Sequence, residues 1–414
     1  MTFRILPAAL LASLLVSPVA QASDTSFSQL EKGRRLVDAA DCVSCHTADK
    51  SQPFAGGRGI ETPFGTIYTP NITPDRETGI GAWTNDDFYR VMHHGQRPDG
   101  TRLYPAMPYP YFTKMTRDDV DAMKLYLGTL PAVRTRPREN ELMWPLNYRV
   151  FMRGWNMLFF TPGTFTPNPD KSAEWNRGAY LVEGPGHCGA CHTPKNILGA
   201  DKTSQALRGG LIRDWFAPNI TNTLHDGVGR WSADEIVDYL KTGRNVHSGA
   251  AGLMAEVVEN STSKILEADL RAIAVYLKDV DGGGEPAAPA KPDEKAMAAG
   301  RAIYNDMCAA CHKTDGTGVP LMFSPLAGNA NVQQRDPTTV TRVILEGARI
   351  GPTDARPTPF AMPAFDWKLT DAQIAAVATY VRNSWGNAAA PVTPSSVKTL
   401  RDDLHHSRVT GKAE

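Results

Sequence analysis

The sequence predicts an all-α chain built as three tandem copies of one small domain. Three observations predict it. All six cysteines fall in copies of the pattern C-x-x-C-H, each copy follows a glycine-bearing helical segment, and each is followed at a distance by an amphipathic helix carrying a tyrosine. With 414 residues the chain has room for two or three domains, and at 42% hydrophobic it can fill more than one core. Its 44 basic side chains balance 44 acidic ones, which argues against a nucleic-acid binder and against a charged disordered tail protein.

The N-terminus is expected to be a secretory leader, residues 1–22. Arg4 precedes a mostly apolar stretch from Ile5 to Val19, and Ala20-Gln21-Ala22 offers a small-residue cleavage site. The alternative, a transmembrane anchor, is disfavoured because Pro7 and Pro18 interrupt a stretch shorter than about 20 apolar residues. No later stretch is long and apolar enough to span a bilayer, so the mature protein is expected to be soluble or peripheral.

The motifs are Cys42-Val43-Ser44-Cys45-His46, Cys188-Gly189-Ala190-Cys191-His192 and Cys308-Ala309-Ala310-Cys311-His312. C-x-x-C-H is the attachment pattern of c-type haem. Two thiols one helical turn apart add to the two vinyl groups of the porphyrin, and the next imidazole reaches the iron. One copy could equally be a zinc half-site or a thioredoxin-like redox pair. Three copies using every cysteine, behind an export signal, predict three covalently bound haem c groups.

Around each motif the order of features repeats. Gly33-Arg34-Arg35-Leu36-Val37, Gly178-Ala179-Tyr180-Leu181-Val182 and Gly300-Arg301-Ala302-Ile303-Tyr304 lie eight to ten residues upstream of the first cysteine. Amphipathic helices are expected downstream over Asp118–Leu127, Glu267–Leu277 and Thr370–Val381, with Tyr126, Tyr276 and Tyr380 in equivalent places. A glycine-bearing helix crossing a tyrosine-bearing helix over a haem is how the cytochrome c fold closes. The expected division is therefore domain 1 over 23–140, an aromatic-rich bridge over 141–172, domain 2 over 173–280, a linker over 281–292, domain 3 over 293–386, and a loosely ordered polar tail over 387–414.

Haem iron in such a fold takes a thioether opposite the histidine, which raises its potential. Ala106-Met107-Pro108 lies 61 residues past His46, and Ala361-Met362-Pro363 lies 50 past His312. The repeated tripeptide favours Met107 and Met362 over Met92, Met115 and Met322. In the second unit Met254, 62 residues past His192, is the only methionine before Met297, with His247 as its competitor. The metal ligands are thus expected to be His46 with Met107, His192 with Met254, and His312 with Met362.

Units one and two also share Tyr68-Thr69-Pro70-Asn71-Ile72-Thr73 and Phe216-Ala217-Pro218-Asn219-Ile220-Thr221, and Trp83-Thr84 matches Trp231-Ser232 ahead of acidic helix starts. The carbonyls of Pro70, Pro218 and Pro325 are expected to accept the free N–H of each iron-side imidazole. Trp83 and Trp231 are either core residues at a helix start or donors to a haem propionate. The bridge from Met143 to Phe160 is crowded with aromatics, with Arg149, Arg153 and Asn156 as a narrow polar stripe. It is expected to be buried between haem domains or to face a partner, rather than to rest in a bilayer interface. Gly56-Gly57-Arg58-Gly59 does not fit a dinucleotide fingerprint, no nucleophile–base pair stands out, and no separate substrate domain is visible. The chain is read as moving electrons, with no catalytic residue of its own.

These features, together with the Trp144-Pro145 to Phe160 bridge, resemble the triheme cytochrome c subunit of periplasmic membrane-bound dehydrogenases that oxidise gluconate, alcohols, aldehydes, sorbitol or fructose. The resemblance runs through nearly the whole mature chain. It implies a flavin, quinoprotein (pyrroloquinoline quinone) or molybdenum catalytic subunit feeding electrons in, and ubiquinone or another cytochrome taking them out. It also implies a place at the periplasmic face of the inner membrane. Some members carry a hydrophobic C-terminal anchor; this sequence ends in polar residues, so peripheral attachment is expected. The other readings are a free-standing periplasmic electron carrier and a multihaem peroxidase, which needs an open haem.

Overall fold

The computed structural model describes residues 19–136, 138–284, 289 and 291–409. Most of the expected leader lies outside these residues; the first helix is described from Val19.

The first unit comprises α1 (Val19–Ala39), α2 (Cys42–Cys45), β1 (Gly59–Thr62), β2 (Gly65–Tyr68), α3 (Asn85–His94), α4 (Tyr109–Phe112) and α5 (Arg117–Leu127). The bridge adds β3 (Glu141–Leu142) and α6 (Phe151–Phe159). The second unit follows with α7 (Ala173–Glu183), α8 (Gly189–His192), β4 (Arg208–Ile212), β5 (Trp215–Asn219), α9 (Ala233–Thr242), α10 (Leu253–Asn260) and α11 (Glu267–Asp279). The third contains α12 (Glu294–Met307), α13 (Ala309–His312), α14 (Thr338–Glu346), β6 (Ala348–Arg349), β7 (Ala361–Met362), α15 (Asp371–Arg382) and α16 (Pro394–Val409). Helices dominate, but the chain is not purely α. Short antiparallel ladders β1-β2-β3, β4-β5 and β6-β7 brace the loops beyond the C-x-x-C-H motifs.

One crossing recurs three times. Helix α1 packs on α5, α7 on α11, and α12 on α15. At each crossing a glycine meets backbone: a Cβ on Gly33 would lie 2.0 Å from the Ala122 carbonyl oxygen, on Gly178 1.9 Å from that of Ala272, and on Gly300 2.2 Å from that of Ala376. The next nearest group is the Cβ of Tyr126, Tyr276 or Tyr380 in turn. Only a residue without a side chain lets the two backbones approach this far.

One helix in each unit starts on a capping box. Thr84 with Asp87, Ser232 with Glu235, and Thr370 with Gln373 form capping boxes at α3, α9 and α15. Each satisfies two otherwise unpaired N–H groups, a contribution of about 1 kcal/mol. Three apolar clusters result, one around Val120, Met123 and Leu127, one around Leu181, Leu270 and Ala274, and one around Tyr304, Ile374 and Val377.

One expectation fails, and of the two readings of the bridge, buried between domains or facing a partner, the first is not met. The segment read as a loosely ordered tail holds α16, whose Val397, Leu400 and Leu404 are buried in the third cluster. Those three apolar residues at helical spacing were enough to dock a segment whose composition is otherwise polar. The bridge is not buried between domains either. On α6 only Met152 is buried, while Phe151, Met157, Leu158 and Phe159 are exposed, as are Trp144 and Tyr148 before it. Two members of its polar stripe face inward, while Arg153 is exposed. Arg149 donates to the Arg102 carbonyl and lies over the Tyr104 ring, and Asn156 accepts from the Tyr109 hydroxyl at 2.5 Å. These bonds hold α6 against the first unit, with Phe151 and Met157 exposed and with Met152, Trp155, Leu158 and Phe159 along the cavity described below.

Candidate haem-binding sites

Each motif folds into the same single turn. His46 N–H donates to the Cys42 carbonyl at 2.9 Å, His192 to Cys188 at 3.0 Å and His312 to Cys308 at 2.9 Å. Cysteines three apart on one turn project to the same side, which two thioether bonds to one ring edge require. Burial pushes the thiols of Cys45 and Cys188 up to about 12 and that of Cys308 up to about 11; Cys42 and Cys191 are also raised by burial.

The imidazoles are oriented alike. His46 Nδ1 lies 2.7 Å from the Pro70 carbonyl oxygen and His192 Nδ1 2.7 Å from that of Pro218. A carbonyl oxygen only accepts, so Nδ1 carries the proton and Nε2 keeps its lone pair for a metal. Burial lowers the pKa of His46, His192 and His312, which favours this neutral form. In the third unit the acceptor is Ser324, 3.0 Å from His312 Nδ1, and not the expected Pro325. The Pro325 carbonyl is engaged by Asn329 Nδ2 at 2.8 Å. The loop there is shorter: the acceptor lies 12 positions past the histidine, against 24 and 26 in the other units.

Side chains that the sequence reading passed over hold these acceptors in place. Asn71 Oδ1 accepts from Thr73 N–H and Oγ1, and Asn219 Oδ1 accepts in the same way from Thr221. The N-x-T spacing after each proline is the signal for this turn. Gly56 has its own task. At φ 76 it accommodates the Pro70 carbonyl so closely that a Cβ would lie 2.4 Å from its carbon, while its N–H donates to the His46 carbonyl.

Cys42, Cys45, His46 and Met107 open onto one cavity of about 2190 Å³, which continues past Trp83 and Met92 to Cys191 and Tyr276. Two thiols, a neutral imidazole and a thioether around a cavity of this size fit haem c. Of the competing methionines, Met115 is fully buried in the core and Met322 is exposed. Met107 and Met254 hold the same place in the order of features, although Met107 lies in a bend and Met254 in the first turn of α10. Gly95 and Gly243 end α3 and α9 in the left-handed conformation, Leu103 N–H returns to the Gly95 carbonyl and Ala250 N–H to that of Gly243, and each methionine follows four residues later. His247 is engaged elsewhere: its ring stacks on Trp231 at 5.6 Å and Nε2 sits 3.1 Å from the Glu235 carboxylate. In the third unit Met362 lies in β7, paired with Ala348 just after Gly347 ends α14.

The units also touch at the motifs. Helix α10, which begins beside Met254, packs on α2 through the Arg58–Glu256 ion pair and through Asn260, which donates to Ser44 Oγ at 3.0 Å. Between the second and third units, Phe216 N–H donates to Thr339 Oγ1 at 2.8 Å and Asn219 N–H to Gln334 Oε1 at 3.1 Å.

Known proteins repeat this pattern. The family model described as Cytochrome c matches residues 30–131 and 297–385. The chain is 41% identical to the cytochrome c subunit of a quinone-type alcohol dehydrogenase of Gluconacetobacter polyoxogenes, over 95% of this chain and 89% of that protein. It is 38% identical to the gluconate 2-dehydrogenase cytochrome c subunit of Pantoea cypripedii, over 90% of each. It is 36% identical to the fructose dehydrogenase cytochrome subunit of Gluconobacter japonicus, over 90% of this chain and 82% of that one. With haem-attachment turns, carbonyl-oriented imidazoles and relatives aligned along nearly its whole length, the chain belongs to the family of cytochrome c subunits of dehydrogenases.

Proposed function

We propose that the chain is a triheme c-type cytochrome of three tandem cytochrome c domains. It carries electrons from the catalytic subunit of a dehydrogenase to ubiquinone or a downstream cytochrome, at the periplasmic face of the inner membrane. The observation that carries this reading is the threefold recurrence of one arrangement, a C-x-x-C-H turn whose imidazole Nδ1 is bonded to a loop carbonyl. Haem, when bound, supplies a one-electron iron couple, and thioether ligation raises its potential. The cysteine pairs tether the ring, and the carbonyls of Pro70, Pro218 and Ser324 hold each imidazole in its ligating tautomer. Met107, Met254 and Met362 are the opposing ligands.

The chain itself contributes no substrate chemistry in this reading. A flavin, quinoprotein or molybdenum subunit oxidises the alcohol, sugar acid or aldehyde. Among the described residues no helix is long and apolar enough to cross a membrane. The exposed Trp144, Tyr148, Phe151 and Met157 on and before α6 support peripheral docking.

A pyridine haemochrome assay on the purified chain should count three haems; a count of two would sink the triheme reading. Affinity purification from the source cell should bring down a dehydrogenase catalytic subunit. Recovery of the cytochrome alone, with electron delivery to a terminal reductase, would favour a free-standing carrier.

A further inference from the structure

Among the described residues, Arg244 is a buried cation without an anion. It is the residue after Gly243 at the end of α9, it is 9% exposed, and its Nε and Nη1 are buried with no hydrogen-bond partner. Such a group is strongly unfavourable unless something negative meets it. The guanidinium leaves its own unit and lies over the ring of Phe360 at 4.8 Å, two residues before Met362. The charged group that acts on it there is another cation, Arg356. The two loops are joined by backbone: Ala251 pairs with Ile350, and Ile350 N–H donates to the Phe360 carbonyl at 3.1 Å.

The matching position in the first unit shows that loop folding does not require the charge. Gln96 follows Gly95 there, the bridge Gln96–Arg102 corresponds to Arg244–Gly249, and the neutral amide donates to the Gly100 carbonyl within its own loop. The residues lining the first-unit cavity include Arg97 and omit Gln96. In the second unit the side chain at this position reaches into the third, over Phe360.

We propose that Arg244, together with Arg356, binds a propionate carboxylate of the haem in the third unit, so that a residue of the second unit helps to set that haem's potential. The proposal rests on the haem reading of the third unit given above. Neutralising a propionate removes negative charge that would favour ferric iron, so the pair raises the potential.

The test is a redox titration of the full chain carrying Arg244→Gln, with the third-unit wave identified by its displacement in Met362→His. That wave should move to lower potential, the other two should stay, and Arg244→Lys should recover much of the shift. Waves all unchanged, or a shift confined to another haem, would overturn the assignment. Should Arg244→Gln fail to load haem, Arg356→Gln, in a half-exposed turn, should lower the same wave; no shift there overturns the proposal as well. A haemochrome count of two in the parent would instead remove the reading beneath it.

Discussion

A Cβ on Gly178 would stand 1.9 Å from the carbonyl oxygen of Ala272, closer than any real side chain comes. This is the tightest of the three helix crossings and it lies under the second C-x-x-C-H turn. Gly178→Ala should force α7 and α11 apart and cost about 1–3 kcal/mol. Thermal melting should show a lower transition, with a haem-depleted fraction; an unchanged melt with full haem content would mean that the crossing tolerates a methyl group.

Loss of each thioether should register on one haem at a time. Met107→Ala, Met254→Ala and Met362→Ala should each lower one potential and alter one low-spin signature. His247→Ala should leave all three potentials in place, because that ring is occupied by Trp231 and Glu235. A His247 variant that shifts the second haem while Met254→Ala does not would reverse the assignment.

The outward side of α6 is expected to be a docking surface. Met157 is 82% and Phe151 49% exposed, and neither lines the haem cavity. Replacing both by serine should change stability by less than about 0.5 kcal/mol, as for surface positions away from the core. The same change should release the cytochrome from its catalytic partner or from membranes while all haem spectra persist. Continued association, measured by co-sedimentation and pull-down, would leave α6 as a passive connector.

Stability should fall as pH rises through the neutral range, in part through Asp41. Burial raises this carboxyl from 3.8 to about 8, against the opposing bond from Ser44. The folded chain then binds a proton that the unfolded chain has released, so the stability this group allows is full below about pH 4 and is lost progressively up to about 8. Asp41→Asn should flatten that part of the melting-temperature profile. Parallel profiles for parent and variant would show that Asp41 is not the titrating group.

The sequence by itself determined the chemistry. Cysteine spacing, the adjacent histidines, the A-M-P tripeptides and the glycine–tyrosine pairing are local or periodic signals, and geometry within one helical turn or along one helix face follows directly from them. Repetition also found two of the three imidazole acceptors, Pro70 and Pro218, and tertiary structure decided the third. A shorter loop moved the acceptor in the third unit to Ser324, one residue before the proline that repetition suggested. Tertiary structure also set α6 against the first unit, because Arg149 and Asn156 found specific partners there. Composition hid α16, since a stripe as narrow as Val397, Leu400 and Leu404 signals a helix only when a complementary apolar surface lies across from it. Arg244 was illegible for the same reason: a buried, unpaired charge is a property of contacts between units, and no spacing along the chain encodes it.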